Sequence, residues 1–149
     1  MIDGVIVTQL GQLFDERGKV MHMLRNDSDV FSEFGEIYFS CTYPGAIKAW
    51  HMHKKMTLNY AVVYGQIKCV LYDDRVGSPT RGNLEEYFLS PENYYLLTVP
   101  PMVWNGWKGV SITESIVANC ATLPHSPNEI ERRDPDDENI PYDWKIKHK

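Results

Sequence analysis

Two histidines set two residues apart, His51 and His53 in "AWHMHKK", are the densest chemistry in the chain. Successive side chains of a strand point to opposite faces, so residues i and i+2 share one. Both imidazoles then face the same way, as two ligands of a transition metal would. They would face the same way equally as proton carriers, since an ordinary imidazole pKa of about 6.5 suits a group that takes up and returns a proton at neutral pH. An interior face holding two histidines, with Asn105 and several tyrosines nearby, costs stability unless it serves a ligand. A functional pocket is therefore favoured over two histidines that only fill a core.

The metal option is tested by the remaining ligand positions. Metal-binding cupins space their ligands as Gly…His-x-His…Glu…Gly, with Pro-x-Gly-x-x-His on a later strand. The stretch from Gly45 to Gly65 has the first spacing and "PPMVWNG", Pro100 to Gly106, has the second. At the glutamate position stands Leu58, and at the last histidine stands Asn105. Leucine has no donor atom and a neutral amide is a poor ligand for a transition metal. The expectation is a pocket without a metal and a reaction without a cofactor.

Such a face has to be carried on strands. Runs rich in Val, Ile, Tyr and Phe recur between turn residues while helical periodicity is nearly absent, the pattern of an all-β sandwich or barrel. The candidate strands are "GVIVTQL", "GKVMHML", "EIYFSCTY", "AIKAWHMH", "TLNYAVVYG", "QIKCVLYDD", "EEYFLS", "YYLLTVP" and "ESIVANCA". So many short strands in a small chain imply a double-sheet roll. Breakers stand at "DERG", "YPG", "VGSPTRGN" and "VPP", with a further turn at Tyr64-Gly65-Gln66. "DSDVFSEFG" and "SPNEIERRD" are each expected to form a short helix, and the final "KIKHK" reads as a solvated basic tail.

With 149 residues the chain fits one domain, residues 1–149, with a sizeable core. Hydrophobic residues at 43% and charged residues at 23% are ordinary for a globular protein. No apolar run approaches the roughly 20 residues of a membrane span. The opening "MIDGVIVTQLGQ" has no basic leader, so a cytoplasmic location with no membrane partner is expected. Cys41, Cys69 and Cys120 are widely spaced and odd in number, which suits reduced, mostly buried thiols. Net charge is −5 with the basic residues scattered, which argues against a nucleic-acid surface.

Several motifs in series carry a resemblance. "FDERGKVMHML" is similar to an Asp-x-Arg-Gly opening, "GAIKAWH" to Gly-Val-Leu-Arg-Gly-Leu-His, and "VLYDDRVGSPTRG" to Val-Asp-x-Arg-x-x-Ser-Pro-Thr-x-Gly. "VPPMVWNGW" and "PNEIERRDPDDENIPYDW" follow in the same order. Together they resemble the nucleotide-sugar epimerases of the cupin superfamily typified by dTDP-4-dehydrorhamnose 3,5-epimerase. The resemblance implies a jelly-roll, double-stranded β-helix barrel and a homodimer whose N-terminal strand joins the neighbour's sheet. The implied substrate is a nucleotide-diphosphate-linked 4-keto-6-deoxy sugar, from which a histidine held by an aspartate takes a proton beside the keto group. Carried over by position, His51 is that base and Asp134 its orienting carboxylate, while Arg17 and Lys48 match substrate-binding positions. Strict alternation from His51 puts Lys48 on the opposite face, so a bend is required for it to reach a ligand.

The departures are as informative as the matches. The family's lysine position falls on Leu58, and its tyrosine on or beside Leu123 and Pro124. Enolate formation needs a donor where negative charge develops; Asn105 and Tyr60 are candidates. An acid is needed on the opposite face, with Tyr60, His53 and Tyr38 as candidates, Tyr38 also counting among the substrate-binding residues. A second resemblance, of "WHMHKK" and "PPMVW", is to the metal-free sugar 3,4-ketoisomerases, in which both histidines take part. A third reading is a cupin that binds a nucleotide sugar without turning it over. The "SPTRG" and "IPYDW" segments favour the epimerases.

Overall fold

The computed structural model describes residues 1–147. In chain order its strands are β1 (Ile6–Gln9), β2 (Gln12–Asp15), β3 (Gly18–Met21), β4 (Glu36–Thr42), β5 (Ile47–His53) and β6 (Leu58–Tyr64). They continue as β7 (Ile67–Tyr72), β8 (Leu84–Leu89), β9 (Tyr95–Val99), β10 (Trp104–Gly109), β11 (Ser115–Ala121) and β12 (Ile130–Arg132). All pairings are antiparallel. One sheet runs β1-β9-β6-β11-β4, the other β12-β5-β10-β7-β8, and β2-β3 form a separate hairpin. The two large sheets make an open jelly roll. Every strand read from the sequence is present, and the turn at Gly65 holds a φ of 68° in space that a Cβ would share with the Glu114 carbonyl.

Alternation builds the core. Leu58, Tyr60 and Val62 of β6 meet Ile67, Cys69 and Leu71 of β7 in one buried cluster, which joins the inner faces of the two sheets. The opposite faces are covered by chain that contributes little regular structure. Trp50, Met52, Val70 and Trp104 pack under Ile140 and Trp144 of the C-terminal segment. Ala61 and Leu96 pack under Leu10, Met23 and Val30 of the N-terminal segment. Thus Trp50 and Met52 face outward into this cover, and the histidines between and beyond them face inward.

The two expected helices are corrected to irregular chain, as the described residues contain no helix. In "DSDVFSEFG" the side chains of Asp27 and Ser28 bond back to Arg25, closing turns in place of a helical ladder. Gly35 then passes so close to the Leu123 backbone that a Cβ would lie 2.3 Å from it. "SPNEIERRD" makes one turn at Ser126 to Glu129 and continues as β12, paired to β5. Of the cysteines, Cys69 is buried but Cys41 is exposed, contrary to the expectation of mostly buried thiols. Within the expected basic tail, Lys147 pairs with Glu86 and lies over the Tyr142 ring, while residues 148–149 lie outside the described residues.

β10 and β5 meet through a bulge that shapes the site. Asn105 pairs with His51, but Trp107 pairs with Lys48, so three steps along β5 are matched by two along β10. The extra residue reverses the alternation and turns Lys48 to the same side as His51. Gly106 makes this possible, because a Cβ there would lie 2.5 Å from the Ala49 Cβ. Gly106→Ala is expected to lower stability by about 1–3 kcal/mol and to misplace Lys48. Thermal unfolding together with the KM for a nucleotide sugar checks both effects.

Candidate active site

A cavity of about 910 Å³ opens between β4 of one sheet and β5 and β12 of the other. β5 contributes Lys48, His51 and His53, β4 contributes Glu36, Tyr38 and Ser40, and the chain at and after β12 contributes Arg132, Arg133 and Asp134. Five of the residues singled out in the sequence besides the two histidines are therefore accounted for here or just behind the wall. Tyr38, Lys48 and Asp134 line the cavity, and Tyr60 and Asn105 stand behind His51. Arg17 is the exception. It sits in the β2-β3 hairpin, 90% exposed and paired with Asp15 at 2.6 Å, and it is not brought to this cavity.

Hydrogen-bond directions fix the state of His51. The Asn105 Nδ2 donates to the carbonyls of His51 and Val103 at 3.1 and 3.3 Å, so its Oδ1 must face Tyr60. The Tyr60 hydroxyl donates to that Oδ1 at 2.9 Å. With its proton committed there, Tyr60 can only accept from His51 Nε2, 3.2 Å away. The network therefore assigns the proton of neutral His51 to Nε2 and leaves Nδ1 with a free lone pair. Trp107 packs its ring edge-on against both His51 and Tyr60, and its own Nε1 donates to Thr42 of the facing sheet at 2.8 Å. Burial, then the neighbouring His53 and the Arg132 charge, push the His51 pKa down to about 3. The imidazole is neutral at physiological pH, in the form a base requires.

The expected pairing of His51 with Asp134 is corrected by this geometry. Asp134 faces the same cavity, yet His51 has Tyr60 rather than a carboxylate as its hydrogen-bond partner. The imidazole that does hold a carboxylate is His53, whose Nδ1 lies 2.6 Å from Glu129 Oε2 with both side chains nearly buried. The other Glu129 oxygen accepts from the amides of Lys55 and Met56. Burial raises the Glu129 pKa, but the hydrogen bonds from His53 and the two amides outweigh it and hold the carboxyl below its ordinary value. Glu129 was hidden in the sequence because "SPNEIERRD" reads as a helix, and its one signal was the turn-forming "SPN" placed ahead of it.

Asn105 and Tyr60 likewise differ from their expected part. Both are fully buried, and each spends its protons on the chain itself, so they hold His51 and do not present a donor to a developing oxyanion. Free donors come instead from cations. Lys48 Nζ uses two of its protons on Ser40 Oγ and the Cys41 carbonyl, and one remains. Arg133 stacks its guanidinium over Trp104 at 4.3 Å with a buried Nη1 that has no partner. Sequence reasoning missed Arg132 and Arg133, which reach the cavity only because β12 docks on β5 with Arg132 opposite His51. No group of three or more histidines, cysteines or carboxylates is gathered for a metal among the described residues.

Comparison with known proteins agrees with this architecture. Residues 1–149 match the family model described as dTDP-4-dehydrorhamnose 3,5-epimerase. The crystal structure of a dTDP sugar isomerase from Desulfovibrio desulfuricans G20 is 46% identical, with a TM-score of 0.94, covering 96% of this chain and 92% of that one. The spore coat polysaccharide biosynthesis protein SpsL of Bacillus subtilis is 35% identical over 146 residues, 97% of each chain. The probable low-salt glycan biosynthesis epimerase Agl13 of Haloferax volcanii is 35% identical over 144 residues, 95% of this chain and 89% of its own.

Proposed function

This chain belongs to the dTDP-4-dehydrorhamnose 3,5-epimerase family, a sugar-nucleotide epimerase and hence an isomerase, and we propose that its substrate is a nucleotide-diphosphate-linked 4-keto-6-deoxy sugar. The observation that carries the reading is the state of His51, neutral, held at Nε2 and open at Nδ1 on the wall of the cavity. A carbon next to a keto group releases its proton to such a base, and the electron pair left behind spreads onto the keto oxygen as an enolate. No cofactor is needed for that step, because the keto group is itself the electron sink.

The low pKa of His51 makes it a weak base in the empty site. A bound diphosphate acts on the smallest of the three causes, since its negative charge near Arg132 offsets that cation while burial, the largest, remains. Substrate binding thus relieves part of the depression, and the remaining proton of Lys48 can serve a phosphate or enolate oxygen. We assign Asp134 to the charge balance of the cavity, where it can stabilise the imidazolium once the proton has moved.

The reading includes a homodimer in the cytoplasm. The β2-β3 hairpin exposes Leu13, Phe14 and Val20, and β4 exposes Ile37 and Phe39 on the face turned away from the cavity. Apolar groups left uncovered on these elements support a partner surface, and Arg17 at the hairpin would then approach a neighbouring cavity. Sedimentation at twice the chain mass checks it.

Incubation with dTDP-4-keto-6-deoxyglucose in D2O, followed by proton and mass spectra of the sugar, tests the activity. Deuterium entering at C5, alone or with C3, with inversion is the expected result. A keto group moved to C3 would establish the ketoisomerase chemistry for which two imidazoles on one strand face also qualify. A sugar that binds but gains no deuterium would reduce the site to a binding module.

A further inference from the structure

Inversion at carbon, given the epimerase reading on which this step rests, needs a proton delivered to the face opposite His51. We propose that Tyr38 is that acid, a catalytic tyrosine supplied by β4 in place of one at Leu123. Hydrogen-bond directions carry the argument. Asn119, fully buried on β11, accepts the Asn59 amide with its Oδ1 at 3.1 Å, so its Nδ2 must be the group that meets the Tyr38 hydroxyl at 2.9 Å. The Tyr38 oxygen is therefore an acceptor, and its own proton has no acceptor among the described residues.

The other candidates are already committed. Tyr60 gives its proton to Asn105 and holds His51 from behind. His53 is bound to Glu129 through Nδ1 and projects from the same face of β5 as His51, so a proton from it returns to the side it came from. Tyr38 stands on the opposing sheet, and the cavity lies between the two. Leu123 offers no proton, but it packs beside Gly35, three residues before Tyr38, so both positions belong to the same end of that sheet. Burial raises the Tyr38 phenol pKa further than the Asn119 bond lowers it, and the group enters the reaction protonated.

The step balances within the site. The C–H bond breaks toward His51 Nδ1 and its electron pair forms the enolate. The Tyr38 O–H then breaks, its proton forms a new C–H bond on the far face, and the carbonyl returns. Imidazolium and phenolate remain, with net charge unchanged, and exchange of one proton each with water restores them.

Tyr38→Phe, with dTDP-4-keto-6-deoxyglucose in D2O, separates the two half-steps. The expected result is inverted sugar formed at least ~100-fold more slowly, while deuterium continues to enter recovered starting sugar, since abstraction by His51 is kept. In a second measurement, 3-fluorotyrosine at position 38 lowers the phenol pKa and moves the alkaline limb of the rate profile to lower pH. Inversion by Tyr38→Phe at the wild-type rate would overturn the proposal and leave the epimerase reading standing. Loss of deuterium entry together with inversion would also overturn it, placing Tyr38 in binding or in abstraction. A wild-type protein that inverts and exchanges nothing would defeat the epimerase reading and this acid with it.

Discussion

His51→Asn is expected to abolish deuterium exchange into the sugar, lowering turnover by about 10²–10⁴-fold, while the chain still folds. Asparagine can set its amide oxygen where Nδ1 stands and fills part of the same space beside Trp107 and Tyr60, but an amide is far too weak a base to take a C–H proton. An active variant would remove the base assignment whatever its stability. The same substitution has a second signature that does not depend on substrate. The His51 pKa falls from 6.5 to about 3 on folding, mainly through burial. Between those values the unfolded chain binds a proton that the folded chain refuses, so the stabilisation is fully present above pH 6.5 and is lost as pH falls toward 3. The partly exposed position reduces the effect to about 2 kcal/mol. Thermal midpoints should therefore decline below neutral pH in the wild type, and the decline should flatten in His51→Asn. A pH profile unchanged by the substitution would mean that the imidazole is better solvated than its packing indicates.

What sequence could and could not foretell follows from the range of the interactions involved. β6 and β7 were legible because each is a short apolar run containing Val and Tyr, bounded by the turn at Gly65, which is a local property. β10 was not read as a strand in its own right, since "WNGWKG" contains two glycines and no β-branched residue. Its glycines answer to neighbours distant in sequence, Gly106 to Ala49 and Gly109 to the Tyr43 carbonyl, against which a Cβ would clash. The inward direction of His51 and His53 was legible from spacing, whereas the direction of Lys48 depended on a bulge that only the β10 partner creates. Family position put Asp134 at the cavity wall, but partner choice is settled by approach. Tyr60 takes the Nε2 of His51, and the carboxylate that binds an imidazole comes from the segment taken for a helix and reaches His53.

That carboxylate leads to the largest expected effect on stability. Glu129→Ala should cost on the order of 3–5 kcal/mol, because one group satisfies three donors drawn from β5 and from the connection to β6. His53 Nδ1, the Lys55 amide and the Met56 amide all lose their acceptor, and the first of these is almost fully buried. Each buried donor left unpaired costs about 1–3 kcal/mol. Glu129→Gln is the sharper probe. Its one carbonyl oxygen can serve the two amides, but its NH2 then faces His53 Nδ1, so the imidazole must give up that proton and carry it on Nε2 instead. The variant should thus recover most of the lost stability while exchanging the tautomer of His53, which nitrogen-15 chemical shifts of the imidazole report directly. The wild-type pair also has its own pH window. The Glu129 pKa is depressed on folding, so its stabilisation is present above the ordinary value of 4.5 and is lost as pH falls through the lower folded value. Acid unfolding of the wild type should consequently proceed in two regions, the His51 decline first and the Glu129 decline at lower pH. Glu129→Gln should remove the second and leave the first, while a single transition insensitive to either substitution would show that neither pair governs the acid stability of the fold.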